Sequence, residues 1–147
     1  MKNVLVILGN YLPNMSANGV CCQKIINYFK NKGYQVTVIS NEQYRVNGVK
    51  NYDGVENYYV KIPFIYKLGN LKKNIKNITL CKIVTKFSKI LGYLDLVSTF
   101  FSFPLVAFSY TRNLFKLANK IHKNKKIDIV IGVNFPTDAV KAACKLK

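Results

Sequence analysis

A chain of 147 residues, half of them hydrophobic, can bury about two-thirds of its unfolded surface, which suits one globular domain and excludes two of ordinary size. Its formal charge of +17 favours anionic surfaces such as phosphates, nucleic acid or acidic lipid headgroups, although the joint abundance of Lys, Asn, Ile and Tyr is also what A+T-rich coding writes into any protein. Of the 23 basic residues only Arg45 and Arg112 are Arg, so planar, bidentate readers of bases are scarce and no nucleic-acid partner is expected.

Val4 to Leu8 is a continuous aliphatic run bounded by Asn3 and Gly9. A strand apolar on both faces belongs in a parallel sheet covered on both sides. The loop GNYLPNMSANGVC follows, and from Gly19 to Lys32 the apolar residues Cys21, Ile25, Tyr28 and Phe29 recur at helical spacing. Gly33 stops that helix. QVTVIS is the second strand, so the first forty residues read as one βαβ unit. A polar connection, NEQYRVNGVKNYDG, leads to a third strand, VENYYVKIP, which Pro63 ends. Leu114, Leu117, Ala118 and Ile121 mark a further helix, IDIVIGV a further strand, and NFPTDAVKAACKLK the start of another helix. The alternation predicts an α/β domain with a doubly wound, Rossmann-like parallel sheet.

Residues 64 to 113 depart from this alternation. From Asn57 to Leu94 there is no acidic residue, while eight lysines lie among Ile, Leu, Phe and Val; Leu96 to Thr111 then carries no charge. Sixteen residues broken by Pro104 fall short of a membrane span. Two readings stand side by side for this basic, apolar, helical insertion: a surface lying on an anionic membrane, with Phe100, Phe101 and Phe103 in the interface, or a buried helix or subunit contact.

Cys21, Cys22, Cys81 and Cys144 show no C-x-x-C spacing and the lone His122 sits among lysines, so neither a zinc site nor a redox pair is expected. The opening apolar run is too short for a signal peptide, and a reduced cytoplasmic chain, peripheral to the inner face of the plasma membrane if the basic region binds lipid, is the expectation. No cofactor is implied. In a doubly wound sheet ligands gather at the carboxyl ends of the strands, and the loop after strand one leads to a helix N-terminus that favours an anion. Gly19 would let backbone approach a ligand without a Cβ in the way, and Asn18 would cap the helix or bond a hydroxyl; equally, the pair would only shape a turn. Neither G-x-G-x-x-G nor G-x-x-x-x-G-K-[ST] occurs, which removes the dinucleotide and P-loop readings.

VLVILGNYLPN, SANGV and NKGYQVTVIS, followed by YDGVENYYVKIP and IDIVIGVNFPTDAVKAACKLK, together resemble the N-terminal domain of GT-B-fold glycosyltransferases of the family-four group. These blocks stand in the family's order and cover most of the chain outside residues 64 to 113. The resemblance implies sugar transfer from a nucleotide-sugar donor, without an obligatory metal, to a glycan of the cell surface or a lipid-linked acceptor. By position Asn18 and Gly19 would lie at the donor phosphates, and Asn134, Phe135, Pro136 and Thr137 would form the acceptor-side loop. Many members carry a histidine in that loop where this chain has Asn134, so no catalytic residue is assigned. The family's main nucleotide contacts belong to a second, C-terminal domain that this sequence does not contain. The isolated chain is therefore expected to be inactive, as a truncated N-terminal half. The competing reading is a non-catalytic basic module, either a membrane-surface adaptor or a nucleic-acid binder.

Overall fold

The computed structural model describes residues 2–42, 48–61, 108–133 and 137–146, together with single helical positions between 79 and 101. Among the described residues eight elements are delimited: β1 (Asn3–Ile7), α1 (Ala17–Asn31), β2 (Gln35–Asn41), β3 (Val49–Tyr52), β4 (Val55–Val60), α2 (Phe108–Lys125), β5 (Ile129–Gly132) and α3 (Thr137–Cys144). The strands form one sheet in the order β3-β4-β2-β1-β5. Every pairing is parallel except that of β3 with β4. The chain is thus α/β with a mixed, mostly parallel sheet, an arrangement compatible with a Rossmann-like fold.

Side chains alternate across the sheet, and each face has its own core. Val4, Val6 and Leu8 of the first strand region pack with Val36, Val38 and Val55 beneath Cys22 and Ile26 of α1. Leu5 and Ile7 point the other way and pack with Ile39 and Val60 beneath Leu114, Ala118 and Ile121 of α2 and Ala139 and Ala142 of α3. The two-sided burial explains why β1 and β2 read as unbroken aliphatic runs.

Sequence periodicity misplaces the buried face of α1. Cys21, Ile25 and Tyr28 are exposed, Cys22 and Ile26 pack on the sheet with Phe29 half-buried beside them, and Gly19 is buried against the loop that precedes the helix. The buried side of the helix includes Gly19 and Cys22, small residues that a count of large apolar side chains passes over. The stop at Gly33 is as expected, and its geometry is a Schellman motif. Gly33, at φ +78°, donates its N–H to the Lys30 carbonyl, and Tyr34 donates to Phe29 while the rings of Phe29 and Tyr34 meet edge to face at 5.3 Å.

Strand β3 lies inside the segment expected to be a polar connection. Asp53 and Gly54 both take positive φ, 50° and 79°, and Tyr52 pairs with Val55, so Asp-Gly is a two-residue hairpin loop. Asn51 Oδ1 accepts the Gly54 N–H at 3.0 Å and closes the turn. On the other side of the sheet, α2 begins at Phe108, so Tyr110 and Thr111, which end the long uncharged run, are buried, Tyr110 in the core that holds Ile39 and Val60 and Thr111 against Asp138 of α3.

Candidate functional site

β2 and β5 flank β1, and the helices that follow β1 and β5 cover opposite faces of the sheet. Strand order therefore reverses beside β1, and ligands of doubly wound sheets bind in the crevice at the carboxyl ends of the strands there. Two strand-loop-helix junctions border that crevice, β1 to α1 and β5 to α3.

The loop after β1 is held at several points. The Gly9 carbonyl accepts the Asn41 N–H at 2.7 Å. Tyr11 is fully buried and its hydroxyl donates to Gln23 Oε1 at 2.6 Å. The Leu12 carbonyl accepts from the Tyr59 hydroxyl at 2.7 Å and from Asn57 Nδ2 at 3.4 Å, and the buried Asn57 also accepts from Ser40 Oγ at 2.9 Å. Burial raises the pKa of Tyr11 and Tyr59, against the opposing pull of their Gln23 and Asn57 contacts. Both phenols accordingly stay protonated and keep donating. Sequence reasoning passed over Asn57 and Tyr59; a polar Asn in the strand VENYYV was the available signal, since a buried amide needs partners.

The helix cap is Ser16, not Asn18. Ser16 Oγ accepts the Gly19 N–H at 3.3 Å and lies 3.4 Å from the Asn10 carbonyl, to which it donates. Asn18 is the second residue of α1 and is exposed. Gly19 is buried, and a Cβ built on it would lie 2.5 Å from the Asn10 carbonyl oxygen and 3.3 Å from Met15 Cβ. The backbone that closes on Gly19 is therefore the chain's own returning loop, in the place where the sequence suggests a ligand. The first amides of a helix have no intrahelical acceptor, and with that of Gly19 taken by Ser16, those of Ala17 and Asn18 are left at the positive end of α1. The first turn of α1 contains no acidic residue.

At the second junction Thr137 opens α3 half-buried, while Asn134, Phe135 and Pro136 lie outside the described residues. Asp138, in the first turn, is fully buried and accepts a hydrogen bond from Thr111 Oγ1 of α2. Tyr110 beside it donates to Asn41 Oδ1 at the end of β2, and burial, with the nearby Asp138 adding to it, raises the pKa of that phenol. None of these four was singled out from sequence. An acid just after Pro136 at a helix start was the legible part; the partners Tyr110 and Thr111 come from the end of the stretch read as an insertion, whose last residues, from Phe108, belong to α2.

Among the described residues no group of three His, Cys, Asp or Glu is placed to hold a metal ion. Burial raises the pKa of the Cys22 thiol, with the adjacent Cys21 adding to it, so Cys22 acts as a packing residue. A cavity of about 440 Å³ lies apart from the crevice, along the open side of β5, between His122, Val130, Val140 and Leu146. The crevice thus offers uncharged amide and hydroxyl donors, one helix N-terminus without an acid and one with a buried acid. This suits an anion at α1, and no acidic residue or histidine among the described residues lies in the first turn of that helix. No family model, curated protein or solved structure matches the chain.

Proposed function

We propose that the chain is the N-terminal, acceptor-side domain of a glycosyltransferase that moves a sugar from a nucleotide-sugar donor to a cell-surface polysaccharide or a lipid-linked acceptor. The observation that supports this reading is the acid-free N-terminus of α1 at the point where strand order reverses, behind a loop whose residues resemble the corresponding loop of GT-B transferases. In such a reaction negative charge grows on the leaving diphosphate as the sugar departs. The amides of Ala17 and Asn18 and the helix dipole would stabilise that charge in a site closed by a second domain carrying the nucleotide contacts. Gly19 serves by letting the loop fold tightly enough to set those two amides at the crevice. The Asn134–Thr137 loop would face the acceptor.

Titration of the ¹⁵N-labelled chain with a nucleoside diphosphate tests this reading. Amide shifts at Ala17 and Asn18 in the millimolar range are expected, with the first turn of α3 unmoved. Silence of both amides at saturating ligand would overturn the donor-phosphate assignment. The chain alone is expected to transfer no sugar, and measured turnover would overturn the dependence on a second domain.

A further inference from the structure

The sheet has two edges, and they are dressed differently. At one, β3 reads Val-Lys-Asn-Tyr, is mostly exposed, and carries Lys50, a charge that blunts the edge against a further strand. At the other, β5 reads Ile-Val-Ile-Gly, with no charge and no proline. Among the described residues β5 pairs with β1 alone, so alternate N–H and C=O groups along its outer side face away from the sheet. All four of its residues are half-buried. On the α1 face Ile129, Ile131 and Val133 are only partly covered; on the opposite face so are Val130 and, packed in the same core, Ala143 and Leu146. The cavity of about 440 Å³ runs along this side, where Gly132 and Ala143 contribute too little side chain to fill it.

We infer that the β5 edge is an interaction surface that takes an extended segment of an acidic protein partner as a sixth strand. The segment's backbone pairs with β5, alternate apolar side chains enter the cavity, and those between them cover Ile129 and Ile131. Charge selects the partner. Lys123, Lys126, Lys141 and Lys145 are all exposed, and each adjoins in sequence a residue that lines the cavity. Between Phe108 and Leu146 the acids are Asp128 and Asp138; the second is buried, and the first accepts the Asn3 N–H at 2.6 Å. A second copy of the chain brings the same lysines and another +17 to this edge, whereas an acidic strand meets them with opposite charge. The surface lies apart from the crevice at the strand ends, so strand addition does not rest on the sugar-transfer reading.

The probe is a blocked, fluorescein-labelled octapeptide with Val-Ile-Val-Ile between two pairs of Glu, titrated with the 147-residue chain and followed by anisotropy. Micromolar binding at low ionic strength is expected, weakening as salt rises. A peptide of the same charge with Gly-Ser-Gly-Ser at its centre, and one with Lys in place of Glu, are expected not to bind. In ¹⁵N spectra the amides of Ile129–Gly132 are expected to shift and to exchange more slowly in the complex, with those of Ala17 and Asn18 unmoved. Replacing Lys123, Lys126, Lys141 and Lys145 together with Gln spares the fold, because all four side chains lie in water, and is expected to weaken binding about thirtyfold, at about two- to threefold per lysine. Val130→Lys puts a charge on the open edge and is expected to abolish binding. The inference is overturned if the acidic peptide fails to bind at millimolar protein, if the Gly-Ser peptide binds as well, or if the shifts fall outside β5 and α3. It is equally overturned if the parent proves a dimer that Val130→Lys dissociates, since a second copy then holds the edge.

Discussion

The two junctions beside the crevice are built alike and end differently. In each a parallel strand runs out at the same edge of the sheet, a short connection follows, and a helix begins. Each also has one glycine where a side chain would strike backbone, Gly19 against the Asn10 carbonyl and Gly132 against α3. The difference lies in the first helical turn. That of α3 holds Asp138, buried and tied to Thr111, so the positive end of this helix is answered by its own protein. That of α1 is capped by a neutral hydroxyl and has no acid. One helix start is spent on holding α2 and α3 together, and the other, with no acid of its own, is where the proposed donor phosphate would sit. Variants at the α3 junction should therefore act on stability, and variants at the α1 junction on both stability and anion binding.

The largest effect is expected at Gly132. A Cβ there would lie 2.8 Å from the Ala139 carbonyl oxygen, 2.8 Å from Val140 Cα and 2.9 Å from Ala143 Cβ, so α3 itself would have to move off β5. Gly132→Val is expected to lower unfolding free energy by about 3 kcal/mol in urea melts; a change near zero would mean that α3 is not seated on β5. Asp138→Ala comes next. It removes the acceptor of Thr111 Oγ1 inside a closed interface and is expected to cost about 2 kcal/mol, with nucleoside diphosphate shifts at α1 unchanged. Altered shifts at Ala17 or Asn18 would break the division of labour between the two helices.

At the α1 junction the expected cost is smaller. Ser16→Ala strips the cap from the Gly19 N–H and should cost about 1 kcal/mol, and Ser16→Gly a few tenths of that order. The Ala variant also releases the Asn10 carbonyl from the Ser16 hydroxyl. The loop then loosens over the amides of Ala17 and Asn18, and their response to a nucleoside diphosphate should weaken along with stability. Loss of stability with an unchanged response would separate the cap from the anion site.

The sheet was legible in sequence because its central strands are buried on both faces, and Val4 to Leu8 and Gln35 to Ser40 consequently carry almost nothing but β-formers. The stop of α1 was legible for a local reason, the left-handed Gly33. What failed to show were features decided by partners distant in sequence. Asn57 looks like a solvated residue until Ser40 and Leu12, 17 and 45 positions away, are seen to satisfy its amide. Asp138 looks like a surface helix start until Thr111, 27 positions earlier, reaches it. Strand β3 is a different kind of omission: Asp53-Gly54 between VKNY and VENYY was a local hairpin signal, masked by the polar composition around it. Gly19 was found by position, while the group that needs its small size, a carbonyl nine residues back, could be found only from the fold.

The smallest expected effect lies outside both junctions and serves as their control. Lys125, at the end of α2, meets Glu56 of β4 at 2.7 Å, and Tyr58 donates to the same carboxylate at 3.0 Å. The Lys125 contact leads in lowering the Glu56 pKa from 4.5, with Tyr58 helping and burial opposing. A carboxyl that holds its proton more weakly in the folded state adds stability above its unfolded value and loses it as pH falls through the folded one. The contribution should thus be complete at neutral pH and fade below about pH 4.5. Both groups are partly in water, which limits it to about 0.5 kcal/mol. Glu56→Gln should flatten the acid limb of a stability profile by that amount and leave neutral-pH binding at α1 untouched, because the pair ties α2 to the far side of the sheet. An acid limb unchanged in Glu56→Gln would mean that α2 is held on β4 by its apolar face alone, through Leu114, Ala118 and Ile121, and that the Glu56–Lys125 pair is a passenger on that contact.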